Sequence, residues 1–577
     1  MPYRISLVQS NELMGRNIRL PFSVGVLWQQ AMSSKLNQQK WTLDHIIYKH
    51  LPVDETAKKL SNSHMVCFSC YVWNFEYHIE LARAIKLINP DCYILVGGPH
   101  VHVEFPNFWN TYQDVIDLAV VGEGDHSFCQ LLEEFPSQNI KHIPGAWTVD
   151  WFHSEAPRVT DLESLPSPYL AGFFDSIIAY EQSQGKLIEA MMQTNRGCPY
   201  HCTFCEQGKD YKNKMNFYSE DRICQEIEWM GQRQIEVLDM ADDNWGIHER
   251  DVQFMQLLCD TKRRYGYPKV FDATYAKNAP ERILEMAKID NAAGTELIRG
   301  ITFAYQSINP ETLTAVKRFN LVPEKQLKLI QELKKLGSPT YAELIWPLPY
   351  ETYNSLLTGV DQTIDMGLDV WLEINLLRLP TSTDLHKEYQ DHYEFGSGND
   401  PAYLRPVRNT WLDHDTVVKG MVFYTWLTSL FYFGFGRPII QHLKQKQSVS
   451  QSVDAFIKFA EQNPWLDHMT DSIKQFWSAR ITGDAEPVLG IFEQDTRLWL
   501  PFIHLASWLQ KDFYKFKEYI FEFALSQGLD AALAKQLTDQ CDHATMLLAQ
   551  SQFDNLFEFV EHYYAYNRKK GLACLIY

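Results

Sequence analysis

Three cysteines within eight residues form the segment of this sequence whose side chains most clearly predict chemistry. They are Cys198, Cys202 and Cys205, in the stretch RGCPYHCTFCEQG, and the aromatic Phe204 directly precedes the third. Thiolates bind soft metals, and cubane iron–sulfur clusters use one thiolate for each of their four irons. Three thiolates therefore hold three irons of a [4Fe–4S] cluster and leave the fourth iron open, and an open position distinguishes a catalytic metal site from a structural one.

A zinc knuckle and three unrelated buried cysteines are the alternatives to a cluster. Zinc would need a fourth cysteine or a second CxxC pair close to the motif, and neither is there. His201 lies inside the motif, but ligation by it is awkward beside Cys202. Cys67 and Cys70 form a distant CxxC in a predicted strand, where positions i and i+3 point to opposite faces, so we interpret them as core and loop residues. The motif favours an iron–sulfur cluster.

The spacing of the three cysteines, with an aromatic residue before the last, resembles the signature of the radical S-adenosylmethionine (SAM) superfamily. The resemblance implies that the open iron binds the amino and carboxylate groups of SAM, and that reduction cleaves SAM to a 5′-deoxyadenosyl radical. It also implies an external one-electron donor, such as a flavodoxin or a ferredoxin, as a partner.

Length, composition and charge exclude several other classes of protein. The 577 residues, 45% hydrophobic and 22% charged, predict a globular chain of several domains. A net charge of −19 repels phosphate backbones, so nucleic acid is not expected as a partner. The longest apolar stretch, 420–436, is short for a membrane span and predicts a buried helix. The lack of a signal segment and of a regular cysteine framework favours the reducing cytoplasm.

Residues 1–150 alternate short apolar runs with amphipathic helical patterns, which predicts a doubly wound, Rossmann-like parallel sheet. The predicted strands are 4–9, 43–48, 65–70, 92–98 and 117–124. Ligands bind at the carboxyl ends of the strands in such a sheet, and glycines there let a backbone approach a ligand closely. The loops at that edge contain Ser69, Tyr71, Trp73, Asn74, Gly97, Gly98, Pro99, His100, Gly122, Glu123 and Gly124.

This first module resembles the cobalamin-binding domain that precedes the radical SAM domain in one large subgroup, the class B methyltransferase-like enzymes. The loops SCYVWN, VGGPHV and VGEG carry the resemblance, which implies cobalamin as a further cofactor, bound by the loop residues just named. The DxHxxG motif, whose histidine ligates cobalt from below in many cobalamin proteins, is absent. Whether cobalt has a protein ligand is therefore open, and a module without cofactor is the alternative.

A proline-rich linker, 151–185, leads into a second strand–helix alternation over 186–400, which predicts a partial (β/α)6 barrel. The predicted strands begin at 187 and continue with 236–244, 270–276, 300–307, 340–349 and 370–380. The stretches ADDNWG, YQSINPETL and IWPLPYET resemble those that hold SAM in the subgroup. The resemblance implies SAM contacts from Phe204, Asp242, Asp243, Asn244, Tyr275, Lys277, Gln306, Ser307 and Glu343. A salt bridge of Glu343 to Arg299 or Arg318 is the alternative for that glutamate.

Beyond residue 400 the pattern becomes helical and rich in aromatic residues, which predicts an α-helical domain over 401–577. Aromatic residues at helical spacing form a core far more often than a ligand site. No catalytic residue is predicted there.

The whole sequence thus resembles an enzyme that cleaves SAM with a [4Fe–4S] cluster and uses cobalamin to methylate an unactivated centre of a small metabolite or natural-product precursor. Two alternatives stay open within enzymes, a radical ring rearrangement and transfer of the 3-amino-3-carboxypropyl group of SAM. A non-catalytic iron–sulfur sensor or binding protein is the alternative from another class. The open fourth iron and the polar strand ends argue against the sensor.

Overall fold

The computed structural model describes residues 2–11, 17–137, 139–208, 214–368, 371–398, 400–432, 434–484 and 514–541. The chain separates into two compact units. The first comprises Met1–Tyr200, Glu206–Thr274 and Ile289–Ile298, and the second comprises His201–Cys205, Tyr275–Lys288 and Arg299–Tyr577. The limits of the four predicted segments (1–150, 151–185, 186–400 and 401–577) stay a prediction.

The first module of the first unit is an α/β sheet with helices on both faces, as predicted. Its strands are β1 (Tyr3–Asn11), β3 (Trp41–Lys49), β4 (Met65–Ser69), β5 (Tyr93–Gly97), β6 (Leu118–Val120) and β7 (Ala146–Trp147). The short strand β2 (Asn17–Arg19) follows β1 in the chain but belongs to a second sheet. The strand order is β3-β1-β4-β5-β6-β7, and only the β6–β7 pair is antiparallel. All five predicted strands are present, and β7 was not predicted.

Two layers of helices cover this sheet. The helices are α1 (Phe22–Ala31), α2 (Lys35–Lys40), α3 (Val53–Leu60), α4 (Phe75–Ile88), α5 (Phe108–Tyr112) and α6 (Asp125–Glu134). Helix α1 packs against α6, and α3 packs against α4. Side chains of β1, such as Leu7, share one buried core with Trp28 of α1 and Leu131 of α6. Strands β1, β4 and β6 are buried on both faces along most of their length, which explains why they are continuous apolar runs in the sequence.

A second sheet of the first unit leads into and out of the cysteine motif. After helix α7 (Asp175–Ser183) come β8 (Leu187–Met192), β9 (Asn195–Arg196), β10 (Asn216–Phe217), α8 (Glu220–Gln232), β11 (Val237–Trp245), α9 (Arg250–Tyr265) and β12 (Val270–Tyr275). The strand order is β12-β11-β8-β2, with β2 parallel to β8. A strand from the N-terminal end of the chain therefore extends the sheet that carries the motif.

The second unit contains a three-stranded parallel sheet in chain order. Its elements, preceded by α10 (Pro280–Ala293), are β13 (Ile301–Gln306), α11 (Pro310–Ala315), α12 (Pro323–Lys335), β14 (Thr340–Trp346), α13 (Tyr353–Asp365) and β15 (Leu372–Leu376). Two antiparallel pairs and a helix follow, namely β16 (Leu379–Pro380) with β18 (Tyr403–Leu404), α14 (Asp384–Tyr389), and β17 (Tyr393–Phe395) with β19 (Pro406–Asn409). The six strands predicted for 186–400 are present, and they correspond to β8, β11, β12, β13, β14 and β15.

The described part of the C-terminal region is helical, as predicted. Its helices are α15 (His414–Leu427), α16 (Arg437–Leu443), α17 (Val449–Ala460), α18 (Pro464–Thr482), α19 (514–526) and α20 (Ala531–Gln540). Residues 420–432 of the predicted apolar stretch form the buried second half of α15 and a π-helical turn, Thr428–Tyr432. None of the helices described here combines the length and the apolar character needed to cross a membrane.

Candidate functional site

A buried carboxylate fixes the chain where it enters the cysteine motif. Asp242, on β11, accepts hydrogen bonds from the backbone N–H groups of Thr194 (2.8 Å) and Asn195 (3.2 Å). The Asn195 side-chain amide (2.7 Å) and the Thr194 hydroxyl also donate to it. Burial raises the pKa of Asp242 to about 7, although these donors oppose the shift. Asp242 was predicted to contact SAM, but in this structure its carboxylate holds the turn before the motif.

The first cysteine of the motif receives a hydrogen bond from the same strand. The Asn244 side-chain amide donates to the Cys198 sulfur at 3.1 Å, and both side chains are buried. Asn244 lies two residues after Asp242, so both side chains project from the same face of β11. Asp243, between them, is only half-buried.

The second and third cysteines belong to the second unit. Cys202 is buried, and its sulfur lies 3.6 Å from Lys277 Nζ and 3.7 Å from Arg318 Nη1. The Cys205 N–H donates to the Cys202 carbonyl at 3.1 Å. Two cationic groups therefore supply donors and positive charge to the Cys202 sulfur.

Phe204 was predicted to contact SAM, and the structure places it against a hydrophobic cluster of the second unit. The cluster consists of Val316, Leu348, Leu377, Leu379, Leu385 and Tyr393. The neighbouring Thr203 exchanges backbone hydrogen bonds with this cluster, donating to Val316 (3.1 Å) and accepting from Leu385 (2.8 Å). Phe204 and Thr203 thus anchor the motif to the second unit.

Arg318 is a residue of this site that the sequence suggested only as a partner for Glu343. Its side chain is buried, and Nε donates to the Tyr305 carbonyl at 3.0 Å. Nη2 is buried and has no hydrogen-bond partner among the residues that the structure describes. Burial lowers the pKa of Arg318, and the nearby Cys202 and Glu343 oppose that shift. A buried guanidinium with an unused donor is suited to an anionic ligand.

The polar residues at the ends of β13 and β14 differ in their hydrogen bonding to the described residues. Gln306 has a positive φ of 65° at a bulge in β13, and its Oε1 is buried without a hydrogen-bond partner among the described residues. Backbone strain of this kind is common at ligand sites. Ser307 instead donates to Glu351 and accepts from the Asn309 N–H at 3.0 Å. Glu343 pairs in register with Glu373 of β15, and Tyr275 is buried.

In the first module, the loop after β4 presents an exposed aromatic surface. The Trp73 ring is 45% exposed and stacks on Tyr71 at 4.5 Å, with 13° between the planes. Asn74 is buried beneath them, where its Oδ1 accepts the Tyr71 N–H (2.8 Å) and its amide donates to the carbonyls of Ser10 (3.1 Å) and Ser69 (3.2 Å). Asn74 therefore shapes the loop, and Trp73 is its accessible residue.

The glycines after β5 and β6 allow segments of the chain to approach one another. Gly98 has φ 108°, and a Cβ there would lie 2.6 Å from the Cys70 carbonyl oxygen. Gly122 has φ 93°, and a Cβ there would lie 2.5 Å from the Ala156 carbonyl oxygen. Gly97, Gly124 and Pro99 are not fully buried. We predicted that these glycines admit a ligand, whereas the contacts seen at Gly98 and Gly122 are with backbone.

His100 and Glu123, both predicted as cobalamin contacts, have protein surroundings. His100 is fully buried, with its ring 4.3 Å from that of Phe75. The Glu123 carboxylate accepts from the Val159 N–H at 2.8 Å and from Arg158 Nε at 3.4 Å. His100 thus packs within the first module, whereas Glu123 binds the segment that follows the module.

Arg196, directly before the cysteine motif, binds the loop that follows β6. Its guanidinium forms two hydrogen bonds with Asp125 (2.8 and 3.2 Å) and one with Glu123 (3.1 Å). Burial opposes the charged form, but Asp125 and Glu123 outweigh it and raise the pKa of Arg196. This network could not be predicted from the sequence, because Arg196 and Asp125 lie 71 residues apart. The network joins the cysteine loop to the first module.

Two family models match the chain. Residues 28–132 match the B12 binding domain, and residues 192–360 match the Radical SAM superfamily. Among curated proteins, the chain is 30% identical over 354 residues to the cobalamin-dependent radical SAM methyltransferase TokK of Streptomyces tokunonensis. It is 32% identical over 362 residues to 2-(S-pantetheinyl)-carbapenam-3-carboxylate methyltransferase of Streptantibioticus cattleyicolor. Each match covers 60% of this chain and 52% of the relative, so the chain spans about half the length of these relatives.

The fold is also similar to that of a solved structure, the cobalamin-dependent S-adenosylmethionine radical enzyme OxsB with aqua-cobalamin and S-adenosylmethionine bound. The TM-score is 0.58 at 13% identity, over 100% of this chain and 85% of that chain. At this identity the likeness concerns the fold alone. Together with the two family models, these findings show that the chain has a segment similar to B12 binding domains ahead of a segment similar to the radical SAM superfamily.

Proposed function

We propose that this protein is a cobalamin-dependent radical SAM methyltransferase that acts on an unactivated centre of a small metabolite or natural-product precursor. The observation that carries the proposal is the Arg196 network, because it ties the cysteine loop of the radical SAM domain to the loop after β6 of the B12-binding domain. The methyltransferase names of the two curated relatives support the same reaction class.

The cysteine motif fits a [4Fe–4S] cluster by the chemistry of its donors. Three thiolates, from Cys198, Cys202 and Cys205, would hold three irons. The N–H donors at the sulfurs of Cys198 and Cys202 are of the kind that surrounds iron–sulfur clusters. We assign the three cysteines as the cluster ligands.

The second unit fits SAM through two polar atoms that lack protein partners among the described residues. Arg318 Nη2 would donate to the carboxylate of SAM, since a hydrogen bond between a guanidinium and a carboxylate is stronger than one between neutral groups. Gln306 Oε1 would accept from a donor such as a ribose hydroxyl or the amino group. Lys277, Asp243, Tyr275 and Glu343 stay predicted contacts, whereas Asp242 and Ser307 would act by positioning their neighbours.

The first module fits cobalamin through the loop after β4. The exposed ring of Trp73, backed by Tyr71, offers a flat apolar surface to a corrin ring. Ser69, Gly97, Gly98, Pro99, Gly122 and Gly124 lie at the same carboxyl edge of the sheet and stay predicted contacts. Asn74, His100 and Glu123 would instead support the loops from beneath.

When bound, the cluster and SAM supply a radical that abstracts hydrogen from an unactivated centre, and cobalamin supplies a transferable methyl group. The protein's own residues position these groups. Asp242 holds the turn into the motif, and Phe204 anchors its other end in an apolar cluster. The side chain of Arg318 is a buried cation. Because a buried charge is costly unless it is paired, this cation favours the binding of an anionic group beside it.

We further propose that the protein works in the cytoplasm with a one-electron donor such as a flavodoxin or a ferredoxin. The acidic composition, with net charge −19, supports a small-molecule substrate over a nucleic acid. A cluster with an open iron needs a reducing environment, which supports the cytoplasm.

Anaerobic reconstitution tests the proposed function. The purified protein is expected to bind four irons and one cobalamin, as cluster ligation and the B12-binding domain require. With SAM, a strong reductant and candidate substrates, formation of deoxyadenosine together with S-adenosylhomocysteine is the expected result. Formation of methylthioadenosine would indicate transfer of the 3-amino-3-carboxypropyl group instead. Deoxyadenosine without S-adenosylhomocysteine would indicate a rearrangement.

A matched pair of cysteine variants tests the assignment of the ligands. Cys202→Ala is expected to lose the cluster, whereas Cys224→Ala, which changes a half-buried cysteine of helix α8 outside the motif, is expected to keep it. If Cys202→Ala retains a full cluster and SAM cleavage, the assignment is wrong.

A further inference from the structure

The observed contact of Asn244 differs from the contact that its position suggests. At the end of a strand in a radical SAM domain it was predicted to contact SAM. In the structure its amide group donates to the sulfur of Cys198 at 3.1 Å. We propose that Asn244 is a positioning residue that raises the reduction potential of the cluster by donating a hydrogen bond to the Cys198 thiolate. The proposal deepens the proposed function and rests on the assignment of Cys198 as a cluster ligand.

The physical basis is the change in charge on reduction. An added electron makes the cluster and its thiolates more negative, so a donor at a ligand sulfur stabilises the reduced state more than the oxidised state. Hydrogen bonds to the sulfurs are among the features that set iron–sulfur potentials. The effect is strengthened by burial, because Asn244 is 5% exposed and Cys198 is 8% exposed, and a hydrogen bond is electrostatically stronger in a low dielectric.

The Asn244 amide is held in place by its strand. Asn244 is the eighth residue of β11 (Val237–Trp245), and Asp242 on the same face fixes the turn that carries Cys198. The Trp245 side chain that follows is fully buried beside Phe254 and Phe271. The donor and acceptor are thus positioned by rigid elements of one unit, which is the condition for a directed hydrogen bond to act on a ligand.

Cys202, another cysteine of the motif, receives cationic donors at longer distances. Lys277 and Arg318 approach Cys202 at 3.6 and 3.7 Å. Their charges act on the whole cluster and would also attract an anionic ligand. Asn244 is neutral, so replacing it changes the hydrogen bond to one sulfur without changing the net charge of the site. It is therefore the donor whose removal isolates the hydrogen-bond effect.

The test is an EPR-monitored redox titration of the reconstituted protein, without SAM, together with iron analysis. Asn244→Leu removes the donor, and reduction of the cluster is expected to become about tenfold less favourable, which is a downward shift of 59 mV for a one-electron couple. Asn244→Asp has the same size, removes the donor and adds a carboxylate, so its potential is expected to fall further. Both variants are expected to keep wild-type iron content.

Asn37→Leu is the matched control. The Asn37 amide also donates to a cysteine sulfur, that of Cys129 at 3.5 Å, but this cysteine lies outside the motif. The control is expected to leave the potential unchanged.

Two results would overturn the proposal. One is a wild-type potential in both Asn244 variants; weakened SAM binding, measured in a separate titration of those variants, would then identify Asn244 as a SAM contact. The other is loss of iron in both, because the residue would then be needed for assembly of the site. The proposed function fails separately, if the wild-type protein binds no cluster or does not cleave SAM.

Discussion

The ion-pair network of Arg196 allows a quantitative test of how the cysteine loop is held. Arg196 contacts Asp125 through two hydrogen bonds and Glu123 through one. The three side chains are 15%, 7% and 22% exposed, so the pairs are largely shielded from water. The perturbation is a double-mutant cycle with Arg196→Met, Asp125→Asn and the double variant.

The expected loss of stability in each variant depends on which charged side chains are left without a partner. Removing one partner of a buried ion pair costs about 3–5 kcal/mol. Arg196→Met is expected near the lower limit, about 3 kcal/mol, because Glu123 keeps its bonds to Arg158 and Val159. Asp125→Asn is expected to cost about 2 kcal/mol, because Glu123 still faces Arg196. The double variant should cost little more than Arg196→Met, which gives a coupling energy of about 2 kcal/mol.

Hydrogen exchange is the suitable assay, because a chain of two compact units need not unfold in one transition. Peptides that cover 193–200 and 121–127 report local opening of the two loops. A coupling energy of about 2 kcal/mol corresponds to roughly a thirtyfold effect on protection, at a factor of ten for each 1.4 kcal/mol.

The pair Arg233–Asp175 supplies the control. It also has two hydrogen bonds, at 3.1 and 3.0 Å, but its side chains are 39% and 44% exposed. Its coupling energy is expected to stay below about 1 kcal/mol. Additive effects in the Arg196 cycle, or equal coupling in both pairs, would refute the view that the buried network holds the motif to the first module.

Three further predictions concern other parts of the first unit. Burial raises the pKa of Asp242 from 3.8 to about 7, so its protonated form is favoured by folding. Its stabilising contribution is complete below about pH 4 and is lost as the pH rises through 7, in total about 4 kcal/mol. Asp242→Asn should therefore flatten the decline in thermal midpoint between pH 5 and pH 8, and an unchanged slope would contradict the shift. Trp73→Ala removes the exposed ring and should weaken cobalamin retention about fivefold to tenfold, measured by absorbance of the bound cofactor. Gly98→Ala forces a Cβ to 2.6 Å from the Cys70 oxygen and should lower the thermal midpoint more than Gly185→Ala, where nothing lies within 4 Å and only the backbone penalty applies.

The long strands could be predicted from the sequence because each is a continuous apolar run. The strands that were missed are two to four residues long, such as β2 and β9. An alternation of apolar residues cannot be recognised over so few positions. Their pairing depends on partners far along the chain, since β2 pairs with β8 about 170 residues later.

The candidate site could be located from the sequence, but the roles of its residues could not be assigned. Asp242 and Asn244 were expected at the end of a strand, and they are there. The position of a residue in the sequence does not determine its hydrogen-bond partner. In the structure Asp242 accepts a hydrogen bond from the turn at Thr194, and Asn244 donates one to Cys198. Arg196 was passed over because the carboxylates that it binds belong to another module.

Ion pairs of Arg19 and Arg196 connect the two modules of the first unit. Strand β2 ends at Arg19, which donates to Glu189 on β8 at 2.6 Å and lies 3.4 Å from Asp239 on β11. These carboxylates belong to the sheet that leads into the cysteine motif, so a residue from the beginning of the chain neutralises charge within the radical SAM domain. The Arg196 network makes the reciprocal connection, from the cysteine loop to the first module. Because each module supplies a partly buried cation to carboxylates of the other, movement of either module would leave charges unpaired. The first unit thus connects Arg196, at the start of the cysteine loop, to the loop after β6, which is predicted to bind cobalamin.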